Sequence, residues 1–166
     1  MRTHTAFLAS TLIASLAHAE PALSPQVELV AELYRQHACE AVIEVPALSR
    51  CALSDQPKAH LLRFFDPKLA EALDQDRDCR AKSQEVCRLD FMPLWDSQDA
   101  SGAVVTIRAA KEAGTVNASI QYAQVRRVVT YLLKEGAHGW RIVDIRFGVN
   151  RPSLMHTLTS GSGRTM

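Results

Sequence analysis

Beyond its first residues, the sequence lacks an apolar run of the length that a membrane span needs, a glycine-rich phosphate loop and a strong excess of either charge. Its formal net charge is +1 over 166 residues. So small a charge does not create the field by which dedicated nucleic-acid binders or polybasic membrane proteins attract their partners. No G-x-S-x-G segment marks a serine nucleophile. We therefore expect no nucleic-acid partner and no membrane span.

Metal-binding spacings are missing as well. The cysteines Cys39, Cys51, Cys79 and Cys87 contain no pair at the short C-x₂₋₄-C spacing of zinc sites. His37 lies two residues before Cys39, on a different helical face. The acidic turn segment of the chain lacks the D-x-D-x-D-G pattern and the distal glutamate of a calcium loop. The sequence predicts no resident metal and no cofactor.

The amino terminus has the features of a secretory signal peptide. Arg2 precedes the short apolar stretch AFLASTLIASLA, and Ala17-His18-Ala19 is a small-x-small cleavage site. No cysteine follows that site, so a bacterial lipoprotein anchor is not expected. Cleavage after Ala19 would leave residues 20–166, with equal numbers of basic and acidic residues. We predict a signal peptide over residues 1–19 and a periplasmic location.

An even number of cysteines in an exported chain predicts disulfide bonds. Four cysteines allow three pairings. We favour Cys39–Cys51 with Cys79–Cys87, because each bond would tie the end of a predicted helix to the segment that follows it. In the chain-entropy model, loops of this size stabilise a fold by about 2–3 kcal/mol each.

Three helical segments are predicted in the first half of the chain. Ser24 can cap a helix that begins at Pro25 and continues to about residue 43. Pro57 opens a second stretch, and Asp66-Pro67 begins a third by the same combination of cap and proline. The charge-rich end of the third helix, DQDRDCR, is interpreted as a solvated face. Apolar residues at helical spacing mark the buried face of the first helix: Val27, Val30, Ala31, Tyr34, Ala38 and Ala41.

From Gly102 onward the periodicity becomes that of β-strands. Four β-rich runs, AVVTIRAAKE, TVNASIQYAQ, RVVTYLLKE and WRIVDIRF, are separated by turn residues. The short turns at 113–115 and 136–139 require antiparallel neighbours. Strict alternation in the last run would place Trp140, Ile142, Asp144 and Arg146 on one face and Arg141, Val143, Ile145 and Phe147 on the other.

This order of elements predicts an α+β fold. One antiparallel sheet with an apolar side must cover that side, and the helices are the material available. We expect N-terminal helices packed on a curved four-stranded antiparallel sheet, cone-like in shape, with a short C-terminal helix formed by SLMHTL. Residues 20–158 would form this single domain, and residues 159–166 a flexible tail.

Three stretches of the chain resemble a known superfamily. The order of helices and sheet, the ending Gly-x-x-Gly-Trp-Arg-Ile-Val-Asp-Ile and the segment LLRFFDPKLAEAL are similar to the nuclear-transport-factor-2-like, or cystatin-like, cone. With LDFMPLWDSQD added, the chain resembles a family of secreted bacterial proteins of unknown function. The likeness covers roughly residues 25–158. It implies a cup between the sheet and the first helices, where enzymatic members use an Asp with a His or a Tyr.

That resemblance points to candidate catalytic residues. Asp144 on the last strand, Tyr34 on the first helix, and Tyr122 and Tyr131 on strands could line the cup. Burial would raise the pKa of a carboxyl toward neutrality, as a proton-shuttling base requires. A dehydratase-like Asp–His pair is not expected, because no histidine lies inside a strand. Surface or capping roles are favoured for the remaining histidines: His37, His60, His138 and His156.

The segment LDFMPLWDSQDA has two interpretations. As a binding rim, Trp95, Asp96, Gln98 and Asp99 would present polar groups to a partner, together with Arg141. As a local turn, the Asp and Ser side chains would cap backbone N–H groups, and the tryptophan would pack over the sheet edge. The turn is favoured, because carboxylates after a proline and before a glycine are ordinary turn chemistry.

Arginines on the strands suggest a second surface. Arg126, Arg127, Arg141 and Arg146 would suit an anionic ligand or an acidic protein surface, although alternation divides them between the two faces.

Together these observations favour an exported, non-enzymatic binding protein of unknown ligand. Its partner would be a protein or a small molecule, and one specific form is an immunity or inhibitor protein for a secreted toxin. A homodimer through the sheet is a further expectation. The alternative is a cone-fold isomerase or hydrolase that uses Asp144 or a tyrosine in a buried site.

Overall fold

In the computed structural model, which describes residues 23–42 and 51–160, helices precede one antiparallel sheet. The predicted signal peptide and residues 161–166 of the predicted tail lie outside the described residues. The α+β fold class is confirmed. The described helices and strands are α1 (Pro25–Gln36), α2 (Lys58–Leu61), α3 (Pro67–Ser83), β1 (Val104–Ala109), β2 (Thr115–Tyr122), β3 (Val125–Gly136), β4 (Gly139–Phe147) and α4 (Leu154–Thr159).

The sheet has the strand order β1-β2-β3-β4, and every neighbouring pair is antiparallel, as the short turns predict. The turn between β1 and β2 requires a glycine at position 114. Gly114 has φ +70°, and a Cβ there would lie 2.8 Å from the carbonyl oxygen of Leu133. No helix among the described residues is long and apolar enough to span a membrane.

The outer edge of β4 is hydrogen-bonded, at its centre, to the segment that joins α2 to α3. The amide of Ile142 donates to the carbonyl of Phe64, and the amide of Asp66 donates to the carbonyl of Ile142, each at 2.9 Å. These bonds make a short parallel bridge between Phe65 and Ile142. The segment that joins α2 to α3 therefore lies against β4, while β1 forms the other edge of the sheet.

α1 begins where the sequence predicts and ends earlier. The Ser24 side chain accepts a hydrogen bond from the Val27 amide, and Pro25 is the first helical residue. The prediction that the helix continues to residue 43 is wrong. The His37 amide donates to the carbonyls of both Leu33 and Tyr34. The chain then tightens into a 3₁₀ turn over Ala38–Ala41. Ala38, predicted on the buried face, is exposed.

α3 also begins at its predicted cap, since the Asp66 carboxylate accepts from the Leu69 amide at 2.9 Å. Its charged end is not uniformly solvated. Asp76 is only 3% exposed, and its Oδ1 accepts from the amides of Arg88 and Leu89 at 2.7 and 3.3 Å. The interpretation of this end as a solvated face is therefore wrong for Asp76, which fixes the chain that leaves the helix.

The two disulfide bonds are Cys39–Cys51 and Cys79–Cys87, which confirms the favoured pairing. The first bond joins the 3₁₀ turn after α1 to the segment before a second 3₁₀ turn, Leu53–Asp55. The second joins the last part of α3 to the chain that follows it. Both bonds hold irregular backbone beside a helix end.

A β-bulge in β4 changes the predicted division of its faces. Leu132 pairs with Asp144 and Leu133 pairs with Ile142, so Val143 is an extra residue with no partner on β3. As a result Ile142 and Ile145, predicted on opposite faces, are both fully buried.

Candidate functional site

Side chains fill the space between α1 and the sheet, where the resemblance implies a cup. Tyr34 and Tyr131 are 3% and 0% exposed. The hydroxyl of Tyr131 donates to that of Tyr34 at 2.9 Å, and Tyr34 in turn donates to the Leu94 carbonyl. The Tyr34 ring also meets the Trp95 ring edge-on, with centroids 5.2 Å apart. This interior is packed and internally hydrogen-bonded.

The candidate tyrosines remain protonated at neutral pH. Burial raises the pKa of Tyr34 and of Tyr131 well above its ordinary value of 10. Burial also raises the pKa of Tyr122 to about 12. The Tyr122 hydroxyl donates to the Trp95 carbonyl. These phenols are therefore hydrogen-bond donors, and none is placed to act as a base.

Asp144 lies on the other side of the sheet from the tyrosines. Its partner Leu132 faces away from the buried positions of β3, and Asp144 itself is half-buried. Its Oδ1 accepts from the amides of Ile145 and Met155 at 2.8 and 2.9 Å. The carboxylate thus holds the first turn of α4 on β4. The structure does not bring Asp144 together with Tyr34 or Tyr122.

The predicted rim is divided between the interior and the surface. Trp95 and Asp96 are 2% and 7% exposed, whereas Gln98 and Asp99 are exposed. Asp99 accepts from the Ser101 amide at 2.8 Å, and the side chain and the amide of Ser101 together lower the pKa of its carboxyl. Only Gln98 and Asp99 are therefore accessible to a partner.

Two arginines that the sequence analysis did not connect with the turn hold Asp96. Arg151 pairs with the Asp96 carboxylate, and Arg127 donates to the Asp96 carbonyl. The Arg151 guanidinium also lies over the rings of Phe91 and Phe147, 5.5 and 5.4 Å from their centroids. Asp96 has φ 53°, a left-handed conformation that these contacts hold in place. Asp96 and Arg151 lie 55 residues apart, so no local sequence pattern connects them.

Arg141 belongs to a different part of the molecule. It pairs with Lys134 near the β3–β4 hairpin, and its Nε donates to the Leu62 carbonyl at 3.2 Å. Lys134 lies seven positions along β3 from Arg127, which corresponds to roughly 23 Å. The structure therefore does not bring Arg141 to the turn that contains Asp96.

Glu40 is a half-buried acceptor that sequence reasoning missed. Its Oε1 accepts from the Leu53 amide and its Oε2 from the Trp95 indole, both at 2.7 Å. Burial raises the pKa of Glu40 to about 7. The residue follows Cys39, so the disulfide and the carboxylate together connect the end of α1 to two distant segments.

His37 is buried, at 1% exposed, so a surface role is wrong for it. Its Nδ1 bonds to the Cys51 carbonyl, and its ring lies edge-on to His60, with centroids 5.5 Å apart. Burial lowers the pKa of both histidines, which are therefore neutral at pH 7. Within residues 23–42 and 51–160, no cluster of three or more potential metal ligands is present.

The charged residues on the side of the sheet opposite the core are mainly cations. Because of the bulge at Val143, both Arg141 and Arg146 pair with outward-facing residues of β3. Asp144 is the one carboxylate at the outward positions of the four strands, and it already accepts two backbone amides. We call this surface the cationic outer face and define it by its basic residues Arg108, Arg126, Lys134, Arg141 and Arg146.

Comparisons with known proteins give little further guidance. No protein-family model matches the chain, and no curated protein is significantly similar to it. Among solved structures, a phospholipid-binding protein from Ralstonia solanacearum, in complex with a phospholipid, is similar over 80% of this chain and 68% of its own. The identity is 13% and the TM-score is 0.35, a level that carries no conclusion about function. The resemblance to the nuclear-transport-factor-2-like cone stays a prediction.

Proposed function

We propose that this chain is an exported, non-enzymatic binding protein that acts through a protein partner. The observation that supports the proposal is which groups the candidate catalytic residues bond to. Tyr34, Tyr122 and Asp144 each bond to backbone groups that position a turn or a helix. A catalytic constellation instead needs groups that converge on a place where a substrate atom can sit. These three groups lie on two sides of the sheet.

The shape of the surface supports a protein partner over a small molecule. One groove of about 410 Å³ lies on the outer side of the sheet, and another of about 460 Å³ lies beside the β3–β4 hairpin. Both are open to solvent. A small-molecule site usually encloses ~70–90% of its ligand, whereas a protein partner can cover an open surface.

An immunity or inhibitor protein for a secreted toxin is the specific form that we propose. The predicted export and the two disulfide bonds would suit a protein that meets its partner outside the cytoplasm. Inhibitors bind with little change of backbone shape when their framework is rigid. The disulfides and the buried hydrogen bonds of Glu40 and Tyr34 would supply such a framework here.

The test is a capture experiment with the disulfide-bonded chain after removal of the predicted signal peptide. The bait is incubated with periplasmic extract, the retained proteins are identified by mass spectrometry, and each candidate is purified and measured again by calorimetry. An unrelated exported disulfide protein of similar size is the control bait. We expect one protein that rebinds in purified form.

Two results would bear on the proposal differently. If the purified partner is a toxin whose activity falls when this chain is added, the immunity form is supported. If no protein is retained and a metabolite raises the melting temperature instead, the proposal of a protein partner is wrong.

A further inference from the structure

We infer that the cationic outer face docks an acidic surface of the protein partner. The inference rests on the proposed function and specifies the chemistry of the partner. Its basis is the placement of five basic side chains on one uncovered side of a sheet, in a chain whose formal net charge is only +1.

Several basic residues on the helical side have acidic partners, whereas the basic residues of this face do not. On the helical side, Arg35, Lys58, Arg77 and Arg80 all form ion pairs with carboxylates. Among the described residues, no carboxylate lies within 4.0 Å of a basic group of the outer face. Such unpaired charges remain available to a partner and generate a local positive potential.

The backbone places these charges on one side by a specific device. If β4 alternated strictly, with Val143 paired like its neighbours, Arg141 and Arg146 would lie on opposite faces. The bulge turns both outward, where Arg141 lies directly across from Lys134. Like charges opposite each other on neighbouring strands are unfavourable, and an acidic partner surface would relieve that repulsion.

The spacing of the arginines indicates an extended partner. Arg108 and Arg146 lie in one row across the sheet, connected through Asn117 and Thr130. Three strand spacings separate their backbones by about 14 Å. Arg126 lies four positions further along β3 from Thr130, which is roughly 13 Å. Separate carboxylates distributed over a protein surface match this spacing better than one small anion does.

The other side chains of the face favour protein over lipid or nucleic acid. No aromatic residue occupies an outward position on the four strands. Aromatic side chains anchor proteins at membrane interfaces and stack on the bases of single-stranded nucleic acids. Exposed Val104 and Val128 lie instead beside Thr106 and Ser119, a mixture of apolar and hydrogen-bonding groups that suits a protein contact.

The test compares two triple variants that change the net charge equally. The outer-face variant carries Arg108→Glu, Arg126→Glu and Arg146→Glu. The control variant carries Lys68→Glu, Lys82→Glu and Lys111→Glu, at exposed positions on α3 and in the β1–β2 turn. Circular dichroism and thermal melting establish that both are folded. Binding to poly-L-glutamate is then measured by fluorescence anisotropy at about 50 and 200 mM salt, since screening weakens exposed charge interactions.

We expect the wild type to bind poly-L-glutamate and to lose affinity as salt rises. The outer-face variant should bind at least about tenfold more weakly than the wild type, and the control variant within about twofold. Equal losses in the two variants would overturn the inference, because the effect would then depend on net charge alone. So would tighter binding of the wild type to phosphatidylglycerol vesicles or single-stranded DNA than to poly-L-glutamate.

The captured partner separates failure of this inference from failure of the proposed function. If the purified partner binds the outer-face variant as tightly as the wild type, the docking surface is wrong while the proposed function stands. If the capture experiment returns no protein, the proposed function fails, whatever poly-L-glutamate does.

Discussion

Tyr34 and Tyr131 form a series of hydrogen bonds in which the two hydroxyls have unequal roles. Tyr131 only donates, to Tyr34, whereas Tyr34 accepts that bond and donates to the Leu94 carbonyl. The series joins α1, β3 and the segment before the sheet. The Tyr34 hydroxyl, in the middle of the series, therefore contributes more to stability than the Tyr131 hydroxyl at its end, because leaving a buried polar group without a partner is costly.

We expect Tyr34→Phe to destabilise the protein more than Tyr131→Phe. The first change leaves the Tyr131 hydroxyl and the Leu94 carbonyl without partners and should cost about 2–3 kcal/mol. The second removes one bond and leaves Tyr34 bonded to Leu94, at a cost of about 1 kcal/mol. Urea unfolding followed by circular dichroism measures both. Equal losses, or a larger loss for Tyr131→Phe, would contradict the series as described.

Glu40 is a half-buried residue whose pKa is raised, chiefly by desolvation of its carboxyl, to about 7 from an ordinary value of 4.5. The folded protein therefore binds this proton more tightly than the unfolded chain does. The stabilising contribution is complete below about pH 4.5 and is lost as the pH rises through about 7. The sign is opposite to that of a surface carboxylate in an ion pair.

We expect Glu40→Gln to remove this pH dependence. Relative to the variant, the wild type should lose about 3 kcal/mol of stability between about pH 4.5 and 8. Denaturant unfolding at several pH values, with the two proteins compared at each, provides the measurement. His37 and His60 have lowered pKa values and change stability in the opposite direction, but both are present in each protein and cancel. Parallel curves for the two proteins would show that Glu40 does not titrate in this range.

At the scale of elements, β4 shows where counting along a strand fails. The run Trp-Arg-Ile-Val-Asp-Ile is rich in β-branched and aromatic residues, and nothing in it marks Val143 as the residue without a partner. Which face of the sheet Arg141 and Ile142 share with the residues after the bulge depends on Val143 alone. Bulges arise from pairing with the neighbouring strand, so a sequence pattern within one strand does not predict them.

We expect the protein to tolerate deletion of Val143. The pairs Leu132–Asp144 and Leu133–Ile142 would then follow one regular register, with Ile142 and Ile145 still buried. The cost should be about 1–2 kcal/mol.

Deletion of Ile145 is the matched control for that experiment. It would turn either Asp144 or Arg146 into the core and should prevent folding, because an unpaired buried charge is very unfavourable. Near-ultraviolet circular dichroism and urea unfolding distinguish the two deletions. A protein that fails to fold without Val143 would contradict the assignment of that residue as the extra one.

The helix ends were predictable to different degrees for a physical reason. The starts at Ser24-Pro25 and Asp66-Pro67 depend on a cap and a proline that lie next to each other in the chain. The end of α1 depends on distant groups, including the Leu53 amide and the Trp95 indole that bond to Glu40. Local patterns contain the first kind of information and not the second.

At the scale of the whole molecule, the charge is distributed unevenly between the sheet and the rest of the chain. The α+β architecture and the antiparallel strand order followed from periodicity and short turns, and the disulfide pairing was favoured among three possibilities from the predicted helix ends. The filled interior did not, since Tyr34 and Tyr131 are 97 residues apart in the sequence. Asp96 and Arg151, 55 residues apart, were unconnected for the same reason.

We expect the protein not to dimerise through the cationic outer face. A symmetric face-to-face dimer would bring the same five basic residues of two copies together, and their repulsion would be strongest at low salt. Size-exclusion chromatography with light scattering should give a monomer at about 50 mM salt. A dimer under these conditions that the outer-face variant abolishes would contradict this expectation and would favour the homodimer suggested by the sequence.

The two edge strands of the sheet, β1 and β4, differ in whether another strand can pair with them. At the β4 edge, the amide and carbonyl of Ile142 are already hydrogen-bonded to the chain around Phe65, so they are not available to an incoming strand. Among the described residues, no backbone group bonds to the outer edge of β1, so another strand could extend the sheet there. Propagation into a fibre requires two open ends on every unit. Within the described part of the chain, recruitment of a further strand would consequently stop after one addition.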